Sequence, residues 1–278
     1  MDRYERATFG EIQRVVDTLG LTVWLKVRVA DVLRIDRRKT PRELFPYALM
    51  SHFDFLVYRG MQPEYAVEFD GASHSRTQQV LNDRKKNALC KLHGFPLLRI
   101  DSRHIEPKYQ KMSLLAWIME VRETEIAFGE AQRQGYVPYD EPFDPIFFSG
   151  IGEREHPFWL SRNALRRWRS LASRGQIRDS CSSGRLWYDD NDTMYGIEFI
   201  RVTPEHGIHV ASWMRRQDCP EMDTLFEEIL LIRLDEQLDL YFAGKRGLQP
   251  LATIYAKIKK FDSQYKMGGG HSFSRGDK

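Results

Sequence analysis

The sequence predicts an α/β chain: a mixed β-sheet flanked by helices, followed by a smaller α+β unit. Three observations carry this. First, the segments His52-Phe-Asp-Phe-Leu-Val-Tyr58 and Tyr65-Ala-Val-Glu-Phe-Asp-Gly71 alternate apolar and polar residues in the manner of half-buried strands, and Gly60 and Pro63 between them suit a hairpin turn. Second, a polar, basic helix candidate from Thr77 to His93 is stopped by Gly94 and followed by the apolar run Phe95-Pro-Leu-Leu-Arg-Ile100. Strand, helix, strand is a crossover that places the last strand parallel to the one carrying Glu68. Third, the second half reads as helix, three short strands and a long helix, an α+β order.

Taken in order, Thr8–Leu19 reads as a helix and Thr22-Val-Trp-Leu-Lys-Val-Arg-Val29 as a strand, ahead of the hairpin and the crossover. On the crossover helix Leu81, Ala88, Leu89 and Leu92 make an apolar stripe, while Gln79, Asp83 and Lys86 fall on a different single face. A helix over Lys111–Arg133 closes the first unit, so that the expected divisions are residues 1–134, a connector over 135–157 rich in proline and aromatic residues, an accessory unit over 158–266 and a disordered tail over 267–278. In the accessory unit, Leu160–Arg174 reads as a basic helix capped by Ser161, followed by strands at Gly184–Tyr188, Met194–Thr203 and Gly207–Met214. An amphipathic helix over Met222–Phe242 comes last, its apolar side suiting a core or a dimer interface.

The chemistry concentrates in the hairpin. Side chains alternate along a strand, so Glu68 and Asp70 share a face and Val67 and Phe69 take the other; Asp54 on the preceding strand brings a third carboxylate to the same surface. Like charges gathered in a folded protein are costly unless neutralised, and a divalent cation is the usual answer. Each residue also has a plainer reading: Asp54 paired with Arg59 or a lysine, Asp83 and Lys86 as a surface i,i+3 pair, Glu11 as a helix-surface charge.

Asp54, then Glu68-x-Asp70-Gly71, His74, Asp83 with Lys86, Gly94 and the strand ending near Arg99 together resemble the PD-(D/E)xK nuclease superfamily, in the small bacterial branch related to very-short-patch repair endonucleases. The likeness covers roughly residues 5 to 105. It implies a restriction-endonuclease-like core and metal-dependent hydrolysis of nucleic-acid phosphodiesters, DNA favoured over RNA, in prokaryotic repair or defence. It implies Asp54 and Glu68 as ligands of Mg²⁺, with Mn²⁺ as a substitute, and Glu11 on the opening helix as a further acidic ligand. The motif's third position is lysine in the superfamily and Asp70 here. The missing charge is then expected from Lys86 on the helix, with Lys85 as the fallback, and Asp70 is expected to extend or orient the site. His74 and Asp83 are expected at the substrate.

Mg²⁺ is a hard ion that typically takes one or two carboxylates and keeps several waters, so Asp54 and Glu68 suffice as its protein ligands. An ammonium aimed at the developing charge adds about 3 kcal/mol of stabilisation. In the accessory unit Arg166, Arg167 and Arg169 could contact phosphates or form a solvated basic face. A catalytically inactive nuclease-fold module that binds nucleic acid, or a metal-binding regulatory protein, are the alternative functions.

Composition is compatible with this. The 278 residues carry a net charge of +3, rich in arginine, which suits phosphate contacts. No run of about 18 apolar residues is present, so no membrane partner is expected. The first residues, Met1-Asp-Arg-Tyr-Glu-Arg6, lack the pattern of a signal peptide, and Cys90, Cys181 and Cys219 lack zinc-site spacing. A reducing cytoplasm is the expected compartment. A homodimer or a larger nucleic-acid-processing complex is left open.

Overall fold

Helix α1 (Arg3–Leu19) opens the chain in the computed structural model and buries Ile12, Val15 and Val16 completely, one stripe at i, i+3 and i+4. The structure describes residues 3–71, 77–106, 108–109, 112–146, 158–190, 192–219 and 221–271. Gly20 ends α1 in the left-handed conformation at φ +66°, and Leu21 N–H closes back on the Val16 carbonyl at 3.0 Å. The chain divides into two units. One comprises Met1–Phe143 with Gln217–Pro220, the other Asp144–Arg216 with Glu221–Lys278.

In the first unit β1 (Thr22–Arg28) leads directly into two short helices, α2 (Val29–Leu33) and α3 (Phe45–Met50). Strands β2 (His52–Arg59) and β3 (Gln62–Phe69) then form the expected hairpin, turning at Gly60 with φ +59°. Helix α4 (Thr77–Leu92) crosses over to β4 (Leu97–Ile100), which pairs parallel with β3. The sheet order β1-β2-β3-β4, antiparallel in its first two pairings and parallel in its last, is the mixed sheet expected. Helix α5 (Leu114–Arg133) follows, its first turn capped by Ser113, whose Oγ accepts from Ala116 N–H at 3.0 Å, and it packs on α1.

Helix α4 does not bury the stripe its sequence suggests. Leu81, Ala88 and Leu92 are exposed, while Lys86, Leu89 and Cys90 are buried. Leu89 and Cys90 join a core with Leu56, Ala66 and Leu97 of the sheet, and α2 and α3 add Val29, Leu33 and Ala48. The helix has therefore turned part of its polar face toward the sheet, which is the first structural sign of a buried polar site.

The second unit is also α+β. Helix α6 (Arg162–Ser173) precedes β5 (Ser183–Tyr188), β6 (Thr193–Arg201) and β7 (His206–Arg215), then α7 (Met222–Phe242). Three further elements were not expected: β8 (Gln249–Pro250), α8 (Leu251–Gln264) and β9 (Lys266–His271). The sheet runs β8-β7-β6-β5-β9, antiparallel throughout. Helix α7 covers the face carrying Gly196, where an added Cβ would meet Leu230 and Phe226 at 2.4 and 3.0 Å. Helix α8 covers the opposite face through Ile254 and Ile258 against Trp187, Ile197 and Phe199. The start of the segment expected to lack structure is thus an edge strand, and Gly268 has a steric reason: a Cβ there would lie 1.8 Å from the Tyr188 ring. Residues 272–278 lie outside the described residues. Ser161 precedes α6 without capping it with its side chain; its N–H and Oγ both donate to Glu228, at 2.6 and 2.8 Å.

Among the described residues no helix is long and apolar enough to cross a membrane. The three cysteines are free thiols.

Candidate active site

The ladder between β2 and β3 runs from Arg59–Gln62 to Phe55–Val67. Past that pair the backbone donors are met by side chains: Asp54 N–H donates to Glu68 Oε1, and Phe69 N–H donates to Asp54 Oδ2, each at 3.1 Å. β3 meanwhile stays with β4 through Phe69–Ile100, and Asp70 N–H donates to the Ile100 carbonyl at 2.7 Å. The hairpin strands part where β3 follows its parallel neighbour, and the two carboxylates occupy the gap, each closing the backbone of the other strand. A buried N–H left open would be costly, so Asp54 and Glu68 are held in place by folding itself.

Glu68 shares its face of β3 with Ala66, on the side covered by α4. Lys86 reaches it from that helix, Nζ 2.6 Å from Glu68 Oε2 and 2.8 Å from the His52 carbonyl. Both side chains are almost wholly enclosed, at 8% and 7% exposure. Burial pushes the Glu68 carboxyl above its ordinary range, the Lys86 ammonium opposes this, and the neighbouring Asp54 charge adds to it.

Asp54 has its own ammonium. Lys26 stands opposite it in the β1–β2 register, between the pairs Leu25–Phe55 and Val27–Phe53. Its Nζ lies 2.6 Å from Asp54 Oδ1 and 2.8 Å from Glu5 Oε1 of α1. Partial burial alone would lower the lysine pKa, but hydrogen bonds to the two carboxylates outweigh it and hold the group above the ordinary lysine range. Lys26 is also left-handed, with φ +52°, inside a strand. For a side chain with a Cβ this backbone costs about 1–2 kcal/mol, and such conformations concentrate at functional sites.

A second polar knot adjoins the first through β3. Arg99 on β4, 3% exposed, has Nη1 2.7 Å from Asp70 Oδ1 and 3.2 Å from Asp83 Oδ1. Its Nε donates to Asn87 Oδ1 at 2.9 Å, and its backbone N–H to Gln217 Oε1 at 2.8 Å. Asp83, Lys86 and Asn87 therefore form one helix face aimed at the sheet, with Lys86 buried and Asp83 and Asn87 partly so; Asp83 and Lys86 belong to the expected polar face.

The structure brings together Asp54, Glu68 and Lys86, and it joins Asp70 to Asp83 through Arg99. Asp70 and Asp83 consequently hold β3, β4 and α4 in register rather than presenting free carboxylates. Lys85 points elsewhere, its Nζ 5.8 Å from the Tyr47 ring centroid. Glu11 is not part of this group. It bonds Arg14 Nη2 at 2.8 Å and Ser113 Oγ, and α1 contributes Glu5 instead, nearly two turns earlier. His74 lies outside the described residues. In the second unit Arg166 and Arg169 are exposed, whereas Arg167 is paired with Asp235 at 3.0 Å and with Asp239. Arg59, the plainer partner for Asp54, pairs with Glu64 at 3.0 Å and with Glu123.

Glu5, Lys26, Asn87 and Gln217 were not singled out from sequence. Lys26 had a signal: the one cation within the apolar stretch Val23–Val27, on a strand antiparallel to the one with Asp54. The others depend on tertiary placement. The donor set of Asp54, Glu68 and Glu5 is oxygen-only, the chemistry a hard divalent cation takes. Among the described residues no three such side chains converge as a ready ligand cluster. The Lys26 ammonium already bridges Glu5 and Asp54, as a cation does.

A family model described as "Protein of unknown function (DUF2726)" matches residues 1–116, which spans α1 through the start of α5 and every residue of this group except Gln217. No curated protein and no solved structure matches the chain.

Proposed function

We propose that the first unit is a divalent-metal-dependent nuclease that hydrolyses phosphodiester bonds, DNA rather than RNA, in prokaryotic repair or defence. The observation that carries this reading is Lys86 Nζ at 2.6 Å from Glu68 Oε2, delivered from α4. The PD-(D/E)xK motif that the sequence resembles needs a positive charge beside its glutamate, and here the helix supplies what position 70 lacks.

Asp54, Glu68 and Glu5 would hold Mg²⁺ or Mn²⁺. Such an ion, when bound, lowers the pKa of a coordinated water and offsets phosphate charge. Lys86 opposes the upward push of burial on the Glu68 carboxyl and offers an ammonium for charge that develops on the phosphate. Lys26 is the half-exposed member; released from Asp54, it is free to meet the phosphate backbone. Arg99, by tying Asp70 to Asp83, fixes α4 against β3 and so positions Lys86.

The second reading is a binding or assembly module on a non-cleaving nuclease fold. It draws support from one fact: all four oxygens of Asp54 and Glu68 already accept from protein donors. Cleavage of supercoiled plasmid and labelled single- and double-stranded oligonucleotides, in Mg²⁺ or Mn²⁺ against EDTA, separates the two. The nuclease predicts metal-dependent cuts that fall by about 10²-fold or more in Asp54→Asn, which removes a ligand of the ion, and in Lys86→Met, which removes an ammonium aimed at the reacting phosphate. Unchanged binding with no cutting of any substrate in either metal would establish the module.

A further inference from the structure

The second unit carries a cavity of about 480 Å³ that belongs to no part of the group described above. It is lined by His209 of β7, by Arg233 and Glu236 of α7, by Arg246 and Gln249 beyond that helix, and by Lys257 of α8. Arg233 and Glu236 are three residues apart and so share one face of α7. Three full cations thus line one space against a single carboxylate. Among the described residues none of the three is paired with a carboxylate: Arg233 donates to Ser212 Oγ, Arg246 to Gln237 and, at 3.0 Å, to the His209 carbonyl, and Lys257 Nζ lies 2.9 Å from His209 Nε2. Uncompensated cations gathered around a cavity raise the local concentration of anions.

Two polar atoms here are also unsatisfied. With Nε2 of His209 accepting from the Lys257 ammonium, the ring proton sits on Nδ1, which is shielded from solvent and has no hydrogen-bond partner. Gln249 Oε1 is likewise buried without a donor. A cavity of about 300–1,000 Å³ is the size that accepts a small organic ligand. Cations ask for an anion, and a space of about 480 Å³ is larger than inorganic phosphate alone fills.

We infer that this cavity binds a small phosphate ester, of sugar-phosphate or mononucleotide size, through Arg233, Arg246 and Lys257. The site is independent of the nuclease reading, since all its residues lie in the second unit. A bound ligand would bridge β7, α7 and α8, so occupancy would stiffen the contact of both helices with the strand.

The test is titration of the full-length protein by calorimetry and thermal shift with ribose 5-phosphate, a nucleoside monophosphate, inorganic phosphate, ribose and a single-stranded oligonucleotide, at fixed ionic strength. The expected result is saturable binding of a phosphate ester, weaker binding of inorganic phosphate and none of ribose. Lys257→Gln and Arg233→Gln should each weaken it at least tenfold, and Lys257→Arg should retain most of it. Arg233→Gln is the safer variant if loss of the Lys257–His209 contact prevents folding. Circular dichroism checks each. Absence of saturable binding by any phosphate, equal binding in both glutamine variants, or binding of the oligonucleotide alone would overturn the inference. Inorganic phosphate binding as tightly as the ester would overturn the ester part of it and leave a plain anion site.

Discussion

In the first unit Asp54 and Glu68 each hold a lysine at 2.6 Å, whereas in the second unit Arg233, Arg246 and Lys257 line one cavity and none is paired with a carboxylate among the described residues. The two polar regions differ in how charge is balanced. The strand gap is neutralised internally, so a metal enters it only by displacing an ammonium. The cavity carries surplus charge, so an anion enters it without displacing a protein group. The difference also shows in packing: Glu68 and Lys86 close off backbone groups and belong to the fold, while the cationic cavity leaves His209 Nδ1 and Gln249 Oε1 unmet. Internal pairing makes the first region costly to mutate one residue at a time. Surplus charge makes the second tolerant of mutation and responsive to ligand.

The largest expected effect tests the internal pairing. Lys86→Met leaves the Glu68 charge enclosed without its partner, and breaking a buried pair from one side costs about 3–5 kcal/mol. The double change Lys86→Met with Glu68→Gln removes both charges and should recover most of that loss. Urea unfolding of the three proteins measures it; a double variant as unstable as the single one would show that packing, not unpaired charge, dominates.

Next in size is a pH effect in the second unit. Burial pushes the Glu228 carboxyl up from 4.5 to about 7, against the hydrogen bonds from Ser161. The native state then binds the proton more tightly than the unfolded chain. The stabilisation is present in full below about pH 4.5 and is lost as pH rises through 7, a total of roughly 3 kcal/mol. Glu228→Gln should flatten this dependence in unfolding curves taken from pH 4 to 8, and a slope unchanged by the substitution would refute the assignment.

The smallest effect concerns Lys26. Glycine accepts the φ of +52° that alanine does not, so Lys26→Gly should be more stable than Lys26→Ala by about 1 kcal/mol, although both lose the same ammonium. Equal stabilities would mean that β1 relaxes out of the left-handed conformation once Asp54 no longer holds the side chain.

Much of the first unit was legible because its signals are local. Alternation marked β2 and β3, Gly60 marked the turn between them, and Gly94 marked the end of α4, where φ is +59°. The apolar stripe of α4 was misread for a physical reason. Periodicity locates a helix but not which face is buried, and here a site enclosed Lys86 at the expense of Leu81 and Leu92. In the second unit, Met222–Phe242 was found to the residue, but α8 and β9 were missed. A triple glycine reads as disorder until Tyr188 is seen lying where a Cβ on Gly268 would be.

The sequence by itself determined the order of the strands and long helices in the first unit, the hairpin that sets Asp54 against Glu68, and the helix that carries Lys86, because strand alternation, turn chemistry and helix spacing act between residues close in the chain. Only the tertiary structure decided that Glu5 rather than Glu11 joins them, that Lys26 occupies Asp54, that Arg99 takes Asp70 and Asp83, and that three cations from β7's neighbours meet around His209. Those partners are far apart in sequence. Which charge finds which is settled by packing and desolvation acting together, and neither leaves a mark on any short stretch of chain.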